Sequence, residues 1–329
     1  MTIRAHEFPA FRARAPWWGA DLQTLRNTLL VGAAKIAVAS EERIIVALSD
    51  GSGDRLLATL NRPRASNGAE KPLAILIHGM SGCQDSPHVV ATAAYFVAQG
   101  YPVLRVNLRG AGISRPLCKF HYHAGRTEDL ADLFARLPRV LAAAGTVAIG
   151  YSLGGNLLLK YLGEQGGAAP VKGAVAISTP LDLAGCALRL MQPRNALYQR
   201  YLLRALRAEA LGSGAELNAR ERAAVLGARS IWEFDEDFTA PRNGFAGTAD
   251  YYARSASGQY LDAIKVPTLV IYARNDPWIP PEPYLARDWR SNPMLVPLLA
   301  ATGGHVGFHG RDRRAPWHDL CAAQFLAAL

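Results

Sequence analysis

Six residues near the middle of the chain, Gly150-Tyr151-Ser152-Leu153-Gly154-Gly155, constrain its architecture more than any other stretch. They follow an apolar run expected to be a strand, Thr146 to Ile149, and open an apolar run of helix length at Leu153. A side chain on so sharp a strand-to-helix turn is held at strained backbone angles, and side chains at the flanking positions would collide with neighbouring elements, so glycine is required on both sides. Gly-x-Ser-x-Gly in that setting predicts a serine exposed at the carboxyl end of a sheet strand.

The rest of the chain supplies such a sheet. Short apolar runs recur at Leu73 to Ile77, Val103 to Leu108, Thr146 to Ile149, Val171 to Ile177, Thr268 to Tyr272 and Met294 to Leu299. Stretches of helical length and spacing separate most of them: Val89 to Ala98, Thr127 to Ala144, Leu153 to Leu162, and Trp317 to Leu329 at the end. Thr127, followed by Glu128 and Asp129, reads as an N-cap with an acidic first turn. Strands alternating with helices predict an α/β fold with a mostly parallel sheet covered on both faces. A hairpin from Ile44–Leu48 through Asp50-Gly51-Ser52-Gly53 into Leu56–Leu60 precedes it, and Pro63 to Lys71 reads as a loop.

Between Pro180 and about Ile264 no strand-like run occurs, and Leu202, Leu203 and Leu206 alternate with Arg200, Arg204 and Arg207 at helical spacing. The expected organisation is a core of residues 41–179 and 265–329, a helical insertion at 180–264, and an N-terminal extension at 1–40. An insertion at the strands' carboxyl ends would cover a ligand crevice; an ordinary surface helix pair is the plainer reading.

Composition excludes several other classes. With half its 329 residues hydrophobic, the chain is too apolar for disorder, and its four cysteines (Cys83, Cys118, Cys186, Cys321) are too few and too far apart for a disulfide scaffold or a Cys-x-x-Cys site. Free thiols in a reducing compartment are expected. The formal charge of +9 comes from 36 Lys and Arg against 27 Asp and Glu, but the cations are dispersed arginines rather than one basic element, so no nucleic-acid partner is expected. Such a surface leaves room for peripheral contact with anionic lipid. Arg4, His6, Glu7, Arg12 and Arg14 charge the N-terminus, and Lys35 and Gly32 interrupt the run from Leu29 to Ala39, so neither a signal peptide nor a transmembrane segment is expected, and cytoplasmic location is the default.

A serine hydroxyl needs a base to take its proton and a third group to fix that base. Asp276 follows the strand Thr268 to Tyr272 and His305 follows Met294 to Leu299, so Ser152, Asp276 and His305 would stand on three consecutive strand ends of one sheet, in the chain order of α/β-hydrolases. Asp182 is a rival acid, and His309 and His318 are rival bases; Asp276 and His305 fit the strand ends better. Acyl transfer also needs donors for an oxyanion, expected from the backbone N–H of Leu153 and, in the turn His78-Gly79-Met80-Ser81-Gly82, of Met80. His78 reads as a loop brace. Tyr198, Phe234 and Phe245, with Tyr201, Phe238 and Tyr252, are candidates for substrate binding and equally for core. His121, His123 and the pair His305, His309 lack the carboxylate or thiolate that would complete a metal site, and Arg109-Gly110-Ala111-Gly112 lacks a full dinucleotide fingerprint, so no metal and no cofactor is expected.

Further stretches accompany the elbow: Asp21-Leu22-Gln23-Thr24-Leu25, His78-Gly79-Met80-Ser81-Gly82, Asn107-Leu108-Arg109-Gly110, Tyr122-His123-Ala124-Gly125-Arg126-Thr127-Glu128-Asp129, Tyr198-Gln199-Arg200-Tyr201, Glu233-Phe234-Asp235, Gly244-Phe245 with Tyr251-Tyr252, and Gly303-Gly304-His305-Val306-Gly307-Phe308. Together, from about Phe11 onward, they resemble the YheT-like esterases, the fourth AB-hydrolase family of the AB-hydrolase superfamily. The resemblance implies an α/β-hydrolase fold with a helical cap, a triad of Ser152, Asp276 and His305, and cofactor-free hydrolysis of short-chain or monoacylglycerol-like esters. Family members often carry Ser where Ala124 stands and His where Ala20 or Asp21 stands, and eukaryotic members carry an N-terminal membrane anchor that this chain lacks, which favours a soluble protein. A thioesterase or amidase with the same triad, or a catalytically silent binding protein on the same fold, are the alternatives. No sequence feature bears on oligomeric state.

Overall fold

The parallel strands of the central sheet are nearly unbroken apolar runs, as sheets covered on both faces require, whereas the edge strand at Val38–Ala47 carries the exposed Ser40-Glu41-Glu42-Arg43. The computed structural model describes residues 8–29, 35–64, 70–311 and 314–329. Parts of the expected N-terminal extension (1–7 and 30–34) and of the expected loop from Pro63 to Lys71 (65–69) lie outside these residues.

Helix α1 (Gly19–Leu29) precedes the hairpin of β1 (Val38–Ala47) and β2 (Arg55–Pro63). Then follow β3 (Leu73–Ile77), α2 (Pro87–Ala98), β4 (Val103–Val106), α3 (Glu128–Arg136), β5 (Thr146–Tyr151), α4 (Leu153–Gln165) and β6 (Gly173–Ile177). After a helical stretch come β7 (Thr268–Ala273) and β8 (Leu295–Ala300), and near the end α12 (Trp317–Ala327). The eight strands form one sheet in the order β1-β2-β4-β3-β5-β6-β7-β8. β1 and β2 pair antiparallel, as do β2 and β4; the other pairs are parallel.

Successive β5 side chains point to opposite faces. Val147, Ile149 and Tyr151 pack with Val89, Phe96, Trp317 and Phe325 of α2 and α12, while Ala148 joins Leu130, Leu133, Leu158 and Leu162 of α3 and α4. Register aligns the carboxyl ends: Tyr151 stands opposite Ile177, Ile177 opposite Ile271, and Ala273 opposite Ala300.

Three expectations need correction. Helix α3 stops at Arg136 rather than near Ala144, because Leu137 precedes Pro138 and takes ψ 133°, the extended geometry that proline imposes on its predecessor. Thr127 does not cap that helix; its backbone is already helical and its hydroxyl donates to Glu164 at 2.5 Å. The strand ends that carry Ser152, Asp276 and His305 are also not consecutive, since β6 lies between β5 and β7. The loop after β8 reaches across this gap, and Val306 N–H donates to the Ser178 hydroxyl just beyond β6 at 3.1 Å.

Between β6 and β7 lie α5 (Leu183–Leu190), α6 (Ala196–Ala210), α7 (Ala219–Gly227), α8 (Ile231–Phe234), a π-helical turn (Asp235–Thr239), α9 (Ala240–Arg242) and α10 (Thr248–Ser255). Leu202, Leu203 and Leu206 of α6 are buried with Leu190, Val225, Ile231 and Phe234, and this small core packs on Met80 and Trp278. Beyond Asp276, α11 (Glu282–Leu285) leads toward β8. Arg109, on the glycine-containing loop after β4, is buried as an ion-pair hub: it donates to Asp129 from two nitrogens and to Asp50 and Asp54 from a third. This hub fastens the hairpin turn to α3.

Candidate active site

Ser152 sits at φ 50° and ψ −120°, the strained geometry expected of the elbow, and its N–H donates to Ile177 O at 2.8 Å. The glycines around it have steric reasons. A Cβ on Gly150 would stand 2.6 Å from Gly154 O, and one on Gly154 2.5 Å from Ile77 O. Gly79 faces the elbow, where a Cβ would lie 3.0 Å from Ser152 Cβ.

The serine hydroxyl lies 3.0 Å from His305 Nε2, and His305 Nδ1 lies 2.8 Å from Asp276 Oδ2. The other oxygen of Asp276, a fully buried residue, accepts the N–H groups of Trp278 at 2.8 Å and Ile279 at 3.1 Å. The carboxyl therefore acts wholly as acceptor, Nδ1 carries the imidazole proton, and Nε2 is left to accept from Ser152. The Trp278 indole lies against the imidazole, ring centroids 4.2 Å apart. A hydroxyl in this setting can pass its proton to Nε2 while the carboxylate stabilises the resulting imidazolium.

The rival residues have other occupations. Asp182 caps α5 by accepting Gly185 N–H. His309 donates its backbone N–H to Gln23 and its ring stands beside Arg26, and burial pushes its imidazole down to about 3. His318 is fully buried in α12. His78 braces its loop: Nδ1 donates to Gly79 O at 2.7 Å, and Nε2 accepts Leu108 N–H at 3.1 Å. Among the described residues, the N–H groups of Met80 and Leu153 have no protein acceptor, and both residues line the cavity in front of Ser152. Ser81, at φ 54°, donates its N–H to Tyr122 Oη at 2.7 Å, and that hydroxyl donates to Glu209 of α6 at 3.1 Å.

That cavity encloses about 750 Å³ including its mouth, with Leu183, Leu190, Leu206, Ile231 and Phe234 from the helical stretch facing Ser152, His305 and Trp278. Of the aromatic candidates, Phe234 and Tyr252 line it. Tyr198 does not; its ring meets Trp278 edge-on and its hydroxyl donates to Asp21. Phe245 lies between His123 and the Arg254 guanidinium, on a separate polar cavity. Tyr201 is 56% exposed. Among the described residues no group of three His, Cys, Asp or Glu side chains could hold a metal ion, and no helix is long and apolar enough to cross a membrane.

Sequence reasoning assigned no task to Gln23 and Thr24. Both are buried on α1 and hold the histidine loop: Thr24 Oγ1 accepts His305 N–H at 2.9 Å, and the Gln23 amide accepts His309 N–H and donates to His309 O. Asn275 accepts Gly304 N–H at 3.1 Å. Their only signal was the Asp-Leu-Gln-Thr-Leu stretch itself.

Residues 72–312 match a family described by its alpha/beta hydrolase fold. A protein of Escherichia coli strain K12 named "Putative esterase YheT" is 33% identical over 73% of this chain and 71% of its own length. The medium-chain fatty acid ethyl ester synthase/esterase 2 of Saccharomyces cerevisiae is 28% identical over 77% of this chain, which spans only 61% of that relative. Among solved structures, a Pyrococcus furiosus esterase, Pf2001, superposes with a TM-score of 0.58 at 16% identity, over 91% of this chain and 97% of that one. The chain thus belongs to the α/β-hydrolase fold family, in its YheT-like branch.

Proposed function

We propose that the chain cleaves carboxylic esters through an acyl-enzyme formed on Ser152. The general class, a carboxylic ester hydrolase, rests on the family and on relatives named as esterases. The finer reading rests on one observation, the hydrogen-bond chain from Asp276 through His305 to Ser152 that ends in an apolar cavity.

In the reaction, Oγ of Ser152 bonds to the ester carbonyl carbon as its proton moves to His305 Nε2. The carbonyl oxygen becomes an oxyanion held by the N–H groups of Met80 and Leu153. Collapse breaks the bond to the alcohol oxygen, which takes the proton from Nε2 and leaves. Water then gives a proton to Nε2 and adds to the acyl carbon, and the acid departs as Ser152 regains its proton. Asp276 orients His305 throughout. Residues 180–264 serve as the cap that keeps bulk water from the acyl group, and short-chain to monoacylglycerol-like esters suit the cavity.

Labelling with a fluorophosphonate tests the nucleophile. One equivalent should attach to the wild type and none to Ser152→Ala; equal labelling of both would remove Ser152 from its role. A matched panel of ester, thioester and amide then ranks the leaving group, with the ester expected fastest.

A further inference from the structure

One carboxyl in the cavity has no part in the chemistry above. Asp235 is the sole acid among the described lining residues, no Lys or Arg lines the cavity with it, and its neighbours there include Ile231 and Phe234. It opens the π-helical turn Asp235–Thr239, a rare geometry that recurs at functional sites. Its carboxyl accepts the Tyr252 hydroxyl at 2.6 Å and the Thr239 hydroxyl, and forms no ion pair among the described residues. Burial pushes it up to about 6.

A buried carboxyl without a cation destabilises a fold unless something uses it. Two hydroxyl donors fill about half of the roughly four acceptor positions of a carboxylate, and capacity remains toward the cavity. A complementary donor stands nearby. Tyr251 also lines the cavity, and its hydroxyl accepts Ala124 N–H at 2.8 Å while its own proton has no acceptor among the described residues. Burial pushes that phenol well above its ordinary range, so it remains a donor.

An acceptor and a free donor together suit a group that is both donor and acceptor. We propose that Asp235 and Tyr251 form a polar subsite that selects esters carrying a free hydroxyl away from the scissile bond, the hydroxyl donating to Asp235 and accepting from Tyr251. This subsite rests on the reading of Ser152 as the nucleophile. The hydroxyl belongs either to the acyl chain or to the alcohol, and two substrate pairs separate these sources: p-nitrophenyl 6-hydroxyhexanoate against p-nitrophenyl hexanoate, and 1-monohexanoylglycerol against propyl hexanoate.

The wild type should favour the hydroxylated member of one pair by at least about tenfold in kcat/KM, since sites built around a hydroxyl reject analogues lacking it. In Asp235→Asn and Tyr251→Phe, both close in shape to the native residues, that ratio should fall toward 1. A wild-type ratio near 1 in both pairs, or a ratio kept in both variants, overturns the subsite while hydrolysis of the plain esters leaves Ser152 in place. A stronger preference for a 6-trimethylammonio-hexanoyl ester than for the 6-hydroxy ester also overturns it, because a cation would use Asp235 and leave Tyr251 unanswered. Failure to turn over either member of either pair would take down both readings.

Discussion

Tyr151 and Ser152 are neighbours on one turn, yet each leads to a different histidine and aspartate, Ser152 to a pair on the loops beyond the strands' carboxyl ends and Tyr151 to a pair in α12. On the Ser152 side, three N–H donors converge on Asp276, and the chain of bonds ends at a hydroxyl in an open cavity. On the Tyr151 side, the tyrosine hydroxyl donates to Thr92 at 2.5 Å and Thr92 donates to Asp319 at 2.6 Å, with His318 Nε2 3.3 Å from the same carboxyl oxygen. There a single hydroxyl serves the carboxyl. Asp319 and His318 are both fully buried, burial pushes Asp319 up to about 8, and His318 is driven well below its ordinary range. The two Asp–His pairs thus differ in their surroundings: N–H donors hold Asp276 and the far nitrogen of its histidine faces a hydroxyl, whereas Asp319 has one hydroxyl donor and the ring nitrogens of His318 have no hydrogen-bond partner among the described residues.

Three substitutions test this contrast. Asp276→Asn should have the largest effect: an amide cannot accept Nδ1–H and the two backbone donors in the same way, and kcat should fall about 10³- to 10⁴-fold with the fold intact, as measured by steady-state hydrolysis beside circular dichroism. A loss below tenfold would put Asp276 on a level with Asp319. Thr24→Val removes the acceptor of His305 N–H while keeping the side-chain shape, and should lower kcat about tenfold with little change in KM. An unchanged kcat would mean that the loop after β8 holds itself.

Asp319→Asn should leave kcat/KM within about twofold and act on stability alone. The raised folded pKa of Asp319 means that its stabilising contribution is complete below the unfolded value near 3.8 and is lost as pH rises through about 8. Melting temperatures of the variant should therefore match or trail the wild type at pH 5 and exceed it by about 2–5 °C at pH 8. A variant that instead loses activity would show that the Tyr151 side reaches the chemistry after all.

The buried strands were readable because parallel pairing demands apolar runs on both faces, and the elbow because only glycine fits its neighbours. Helix α3 ends short of the apolar spacing, which continues past Leu137, because the backbone limit set by Pro138 overrides that spacing. Tyr198 and Phe245 are candidates for substrate binding and equally for core from sequence, which says nothing of which neighbour a side chain meets, and neither lines the cavity in front of Ser152. Gln23 and Thr24 were beyond reach for a different reason: their partners lie 286 and 281 positions away, and local pattern carries no information at that range.

That separation also bears on the order in which the molecule is made. Thr24 leaves the ribosome ahead of the eight described strands, but its hydroxyl finds the backbone of His305 only after they have been synthesised. Closing so long a loop costs little extra entropy per added residue, yet it cannot precede the sheet that brings the two segments together. On the proposed reading, Ser152 therefore stays without its partner His305 until the loop after β8 has been made and docked against α1.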